Sequence, residues 1–292
     1  MAKLSILVVT YNQENYIQQC LDSILMQKTD FDYEVIVSND ASTDKTGEIC
    51  DEYANKYSQF HVYHHPRNIG LLNNWEFVMN KCEGEYVAIL EGDDYWLDKH
   101  KLQKQVEVLD AHRDYSAVFT RAKVHYMEEG MEVSDERYLP TLEEREYTER
   151  DICERFYVLS SSLMFRNCLQ PIHYSKQLLY ADLYTFILLS KKGRMYCIGE
   201  QTVAYRIHKK NLSRTGNGAY WVANYNQNKY FIQLFPEVAD IYEKRMEACW
   251  PHLLSDKSIP AWKYRILYMC KHPRMIFSRF MLKTLKSYIL PF

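Results

Sequence analysis

The chain has 292 residues, 47% of them hydrophobic and 25% charged, with a net charge of −2. That composition is ordinary for a globular fold with a large core, and near-neutrality gives no long-range pull toward nucleic acid. Eight cysteines, at 20, 50, 82, 153, 168, 197, 249 and 270, form no C-x-x-C pair, which argues against a zinc ribbon or disulfide framework and fits a reducing compartment. No run of 18 apolar residues occurs, and the apolar stretch after Met1-Ala2-Lys3 is too short for a signal peptide. The expectation is a cytoplasmic protein.

Residues 4–9 read as a buried strand, and 14–26 as a helix carrying Tyr16, Ile17, Cys20, Leu21, Ile24 and Leu25 at helical spacing. A second strand is expected at 34–37, then a helix over 43–57 with Ser42 as its N-cap. A third strand at 61–64 and a helix at 71–82 follow, then a fourth strand at 86–90 and a helix at 101–111. This alternation predicts an α/β fold with a mostly parallel sheet flanked by helices. Ligands of such sheets bind outside the carboxyl ends of the strands.

Thr10-Tyr11-Asn12, Asn39-Asp40 and Glu91-Gly92-Asp93-Asp94 stand at three of those ends. Three carboxylates within four residues repel one another unless a divalent cation joins them; the plainer alternative is a solvated acidic turn. An aromatic face, acceptor groups and a cation site together describe a nucleotide-diphosphate pocket. No G-x-G-x-x-G or G-x-x-x-x-G-K-[ST] is present, so the phosphates are expected to be neutralised by a cation and basic side chains.

The ordered set Ser5 to Asn12, Val37 to Asp44, and Gly84 to Asp94 resembles family 2 glycosyltransferases of the GT-A fold, over roughly residues 3–215. The resemblance implies an inverting enzyme of the kind that builds bacterial surface polysaccharide. It would use a nucleotide-sugar donor, UDP-linked by preference, and a divalent cation, Mn²⁺ or Mg²⁺. The acceptor would be a glycan or a lipid-linked glycan. It also implies that Thr10, Tyr11, Asn12 and Asp40 hold the nucleotide, with Arg67 and Asn68 lining the donor pocket. Glu91, Gly92 and Asp93 stand in for the family's D-x-D, and Asp93 or Asp94 binds the metal. Glu91 replaces the usual first Asp, and Asn39 a common Asp.

Adjacent His64 and His65 lack the i, i+4 spacing of a metal pair, so a polar loop fixed by Pro66 and Gly70 is expected there. Trp75, Phe77 and Met79 read as core, and Trp96 as a wedge beneath the acidic loop. Strands are expected at 117–120, 123–127 and 160–166, and a charged solvated loop or lid over 128–150. Asp182 opens an apolar helix; alone it reads as a cap, whereas the resemblance implies the general base. Tyr205-Arg206-Ile207-His208 resembles the family's Y-R-x-H segment, which implies His208 on the metal and Arg206 on the phosphates. Lys209 and Lys210 are weaker phosphate candidates, and 211–218 a candidate closing loop.

A catalytic domain is expected over 1–215 and a helical extension over 216–292, with helices broken at Pro236 and Pro251. After Asp256 no acidic residue occurs, and Arg279, Lys283 and Lys286 form a basic stripe on an apolar helix. That pattern suits a membrane surface as partner of residues 262–292, on the inner face of the cell membrane, or docking on protein. Two other function classes stay open at this point. One is a nucleotidyltransferase, although Thr10 to Glu14 lack its basic residues. The other is a catalytically silent sugar-nucleotide-binding or scaffold protein.

Overall fold

The computed structural model describes residues 2–128, 131–134, 142–154, 158–208, 218–255 and 261–271. Its contacts divide the chain into two compact units, Met1–Ser175 with Tyr180–Lys209, and Lys176–Leu179 with Lys210–Phe292. In the first unit, the strand β1 (Leu4–Thr10) is buried along its whole length, as a central strand covered on both faces must be. There follow α1 (Ile17–Leu25), β2 (Tyr33–Asn39), α2 (Thr46–Lys56), β3 (Phe60–His64), α3 (Leu71–Met79), β4 (Tyr86–Glu91), β5 (Tyr95–Trp96) and α4 (Lys101–Ala111). The rest of this unit comprises β6 (Tyr115–Glu128), β7 (Met131–Ser134), β8 (Glu146–Tyr147), α5 (Glu149–Glu154), β9 (Met164–Arg166), α6 (Ala181–Ser190) and β10 (Arg194–Ile207).

Among the described residues the strands form one sheet, in the order β3-β2-β1-β4-β9-β6-β10-β5, with β7 on β6 and β8 on β10. The four strands from β3 to β4 run parallel. β9 is antiparallel to both β4 and β6, so the sheet is mixed at its centre. Ile6, Val8, Ile17, Leu21, Val35, Val37, Ala88, Leu90, Leu102 and Val106 pack one core beside the sheet. Leu7, fully buried, points to the opposite face by strand alternation. Replacing it with alanine is expected to cost about 2–5 kcal/mol in urea unfolding; a loss below about 1 kcal/mol would show that the site collapses around the gap.

Element ends differ from the sequence expectation where side chains capture backbone donors. α1 starts at Ile17, after a turn in which Tyr16 and Ile17 both donate to the Gln13 carbonyl. Asn12, at φ 52°, donates its N–H to Ser42, Gln13 to the Thr46 hydroxyl and Glu14 to Asp44. α2 starts at Thr46 rather than Thr43, since the Ser42 hydroxyl is taken by Asn39 and Asp44 accepts the Thr46 N–H at 3.0 Å. The two strands expected at 117–127 are one, β6, pairing in parallel with β10 across register shifts near Gln201. Residues 128–150 hold β7 and β8 rather than only a loop; 129–130 and 135–141 lie outside the described residues. The expected strand over 160–166 is a 3-10 turn, Ser160–Ser162, followed by β9.

In the second unit α7 (Gly218–Leu234), α8 (Ala239–Ser255) and α9 (Ala261–Lys271) pack together. Cys249, Trp250, Leu253, Leu254 and Tyr264 form their core. The helix expected to break at Pro251 runs through it. Pro251 is exposed, so its missing N–H bond falls on the solvent side, while Trp250 and Leu253 hold the turn from within. No helix among the described residues is long and apolar enough to cross a membrane. The basic stripe at 279–286 lies outside the described residues, as does the loop 211–217.

Candidate functional site

Strand register brings three of the sequence candidates to one edge. Thr10 pairs with Asn39, and Val9 with Glu91. Asp40 donates its N–H to the Thr10 carbonyl and Gly92 to that of Val9, both at 3.0 Å. Gly92 is required by this closeness: a Cβ there would stand 2.4 Å from Gln13 Oε1 and 3.0 Å from Thr10 Cβ. Tyr11 is 45% exposed. Asn12 is occupied in accepting the Thr43 N–H at 2.8 Å.

Buried Asp40 accepts the N–H groups of Ile69 (2.7 Å) and Gly70 (3.0 Å). It thereby folds the loop carrying exposed Arg67 and Asn68 against the end of β2. Gly70 sits at φ 83°, where a side chain would be strained. Asn39 is also a brace, accepting both the N–H and hydroxyl of Ser42 through Oδ1. His64, the last residue of β3, bonds Asp51 and Asn39, and His65, in the loop that follows, meets Ser38 and Asn74. Trp75 and Met79 are core residues.

The acidic loop after β4 holds its three carboxylates in different ways. Glu91 accepts the Ser160 hydroxyl at 2.7 Å. Desolvation pushes its carboxyl well above the usual range, and the charges of Asp93, Asp94 and Asp182 add to the rise. Asp94 is buried, with Oδ2 accepting the Ser161 hydroxyl (2.7 Å) and Oδ1 the Arg206 N–H (3.0 Å). Burial and the neighbouring Asp93 raise its pKa too. Asp94, expected with Asp93 among the metal ligands, is hydrogen-bonded within the protein through both oxygens. Asp93 faces His208, Oδ2 to Nε2 at 3.0 Å, and the imidazole stacks on Tyr16 at 4.8 Å.

Arg206 also departs from expectation. Its guanidinium is buried between the rings of Tyr16 (5.4 Å) and Tyr95 (4.3 Å). It donates to the Asp93 carbonyl at 2.7 Å and to Gln19 Oε1. So fastened, it steadies the acidic loop from beneath rather than reaching for phosphate. Lys209 and Lys210 lie outside the described residues.

Asp182 stands in the first turn of α6, with Tyr180 as N-cap and no side-chain cap bond. Its Oδ1 accepts the Leu183 N–H at 2.6 Å. Burial raises its pKa to about 6, the backbone bonds opposing. The sequence reading missed Ser160, Ser161, Tyr16 and Gln19. The run of three serines was the one signal available, and it read as the lead into a strand.

Among the described residues no set of three or more His, Cys, Asp or Glu side chains closes on a metal by itself. Asp93 and His208 are hydrogen-bonded to one another at 3.0 Å; carboxylate and imidazole are both ligands that a divalent cation accepts, so these two residues would be the ones to hold it. Such ions complete their shells with water and substrate phosphates.

The family follows from comparison with known proteins. The family model described as "Glycosyl transferase family 2" matches residues 5–171, and the chain belongs to that family. An uncharacterised protein of Mycobacterium tuberculosis is 34% identical over 212 residues, 72% of this chain and 60% of its own length. The chain thus spans about 60% of the length of this curated relative. Staphylococcus aureus TarS (1–349), solved in complex with UDP-GlcNAc, superposes with a TM-score of 0.62 at 22% identity, covering 88% of this chain and 74% of that one. A mannosyltransferase from Pyrobaculum calidifontis, solved with GDP-Man and Mn²⁺, gives a TM-score of 0.60 at 15% identity, covering 97% and 83%. The fold is that of the GT-A class, a central sheet flanked by helices with a helical C-terminal part.

Proposed function

We propose that this chain is an inverting glycosyltransferase that moves a sugar from a nucleoside diphosphate to a hydroxyl of a glycan or lipid-linked acceptor. One observation carries the reading: residues 5–171 match the family 2 glycosyltransferase model over a sheet whose register sets Thr10, Asn39 and Glu91 at one edge. Related folds binding UDP-GlcNAc and GDP-Man with Mn²⁺ support it, and UDP is our preferred nucleotide. The base stacks on Tyr11 while Thr10 and Asp40 line its edge, with Arg67 and Asn68 alongside. Asp93 and His208 would hold Mn²⁺ or Mg²⁺, which would supply positive charge to the leaving diphosphate.

Asp182 accepts the proton of the acceptor hydroxyl as its oxygen attacks the anomeric carbon. The bond from that carbon to the diphosphate oxygen breaks, its electron pair leaving with the nucleotide, and the carbon inverts. A carboxylate in this role must be unprotonated, and a pKa near 6 leaves Asp182 mostly ionised at neutral pH while making it a better base than a free carboxylate. The catalytic machinery is assigned to residues 1–215. The helical part after 216, with Ile266 and Leu267 exposed on α9 and basic residues in the sequence beyond, is assigned to a membrane surface.

Release of UDP from UDP-sugars, measured with and without Mn²⁺, tests the proposal. Metal-dependent UDP release from at least one UDP-sugar is expected. Pyrophosphate as product would point to nucleotidyl transfer, and donor binding without turnover across acceptors would point to a silent protein.

A further inference from the structure

The carboxylates of the acidic loop do not hold themselves. Ser160 donates to Glu91 Oε1 (2.7 Å), and the Ser161 hydroxyl donates to Asp94 Oδ2 (2.7 Å) while accepting the Glu91 N–H (3.2 Å). One 3-10 turn thus fixes the residues on both sides of Asp93. The turn is itself clamped from below. Trp96 Nε1 donates to the Ser161 carbonyl and Gln105 Nε2 to that of Ser162, both at 2.9 Å. Trp96, Lys101 and Gln105 are all buried at 1% exposure or less.

Lys101 is the unusual member of this layer. Its terminal nitrogen donates to Gln105 Oε1 at 2.6 Å and lies 4.5 Å from the Trp96 ring centre. Burial lowers its pKa to about 7, and charged or neutral the nitrogen can donate this bond. What the lysine does is fix the Gln105 amide: with Oε1 taken by a donor, Nε2 must face the carbonyls of Val118 (3.0 Å) and Ser162. A flipped amide would set oxygen against oxygen there.

From this arrangement we infer that Ser161 and Lys101 are positioning residues. The serine turn, seated on Lys101, Gln105 and Trp96, sets the direction in which Asp93 presents its carboxylate to a cation. This rests on the function proposed above. Partners that orient metal ligands typically carry 10- to 100-fold in metal affinity.

The test is titration of Mn²⁺ against the whole chain in the presence of UDP, with free ion read by electron paramagnetic resonance and melting followed in parallel. Ser161→Ala is expected to bind Mn²⁺ about 10- to 100-fold more weakly. Lys101→Met leaves the buried Gln105 Oε1 without this donor, so it is expected to melt lower than the parent and to bind Mn²⁺ more weakly. Ser161→Thr, which keeps the hydroxyl, is expected to retain parent-like Mn²⁺ affinity, and weak binding in Ser161→Ala with recovery in Ser161→Thr separates positioning from a purely structural role. Parent-like Mn²⁺ affinity in folded Ser161→Ala, or in Lys101→Met, overturns the inference while leaving the proposed function intact. A parent protein that binds no Mn²⁺ with UDP overturns both.

Discussion

Asp182→Asn is expected to lower sugar transfer roughly 10²- to 10⁴-fold, the range that a positioned general base contributes, while UDP affinity changes little. The amide keeps the size of the carboxylate and its bond from the Leu183 N–H, so α6 should start as before. Only the ability to take a proton is lost. The pH profile supplies an independent check. Burial holds the Asp182 carboxyl at about 6, and the base works in its ionised form. Transfer should therefore be full at pH 7.5 and fall about tenfold per unit below pH 6. A flat profile down to pH 5, or an active Asp182→Asn, would remove the residue from the chemistry.

The second large effect belongs to Asp93. Asp93→Ala should raise the Mn²⁺ concentration needed for half-saturation and lower turnover, each by about 10³-fold, the several kcal/mol that a cation contributes at a leaving group. The loop itself should survive, because Arg206 bonds the main-chain carbonyl of Asp93 rather than its side chain. Asp94→Ala should behave in the opposite sense. It strips partners from Ser161 and from the Arg206 N–H, so lost stability should accompany any lost activity. Unfolding curves beside Mn²⁺ titrations distinguish the two, and equal metal affinity in Asp93→Ala and the parent would refute the Asp93 assignment.

These contrasts mark what sequence could and could not disclose. The alternation from β1 to α4 was legible because unbroken apolar runs such as Ile6 to Val9 belong to strands covered on both faces. The strand-end rule then led to Thr10, Asp40 and Glu91 without any knowledge of pairing. The tasks of Asp94 and Arg206 were hidden. Their bond joins positions 112 residues apart, and a buried arginine spells the same as one that meets phosphate. The mixed sheet was hidden for a similar reason, since β9 offers three residues and no alternation to reveal its direction. Pro251 misled because a missing N–H breaks a helix only where packing does not compensate.

The double aromatic seat of Arg206 has a kinetic corollary. With its charge locked between Tyr16 and Tyr95 and its donors on Asp93 and Gln19, the end of β10 and the start of α1 have few rotamers left to lose. Conformational entropy at the floor of the pocket is surrendered during folding, before any donor arrives. Capture of the nucleotide should then proceed against a rigid template, with any slow rearrangement confined to segments outside this seat.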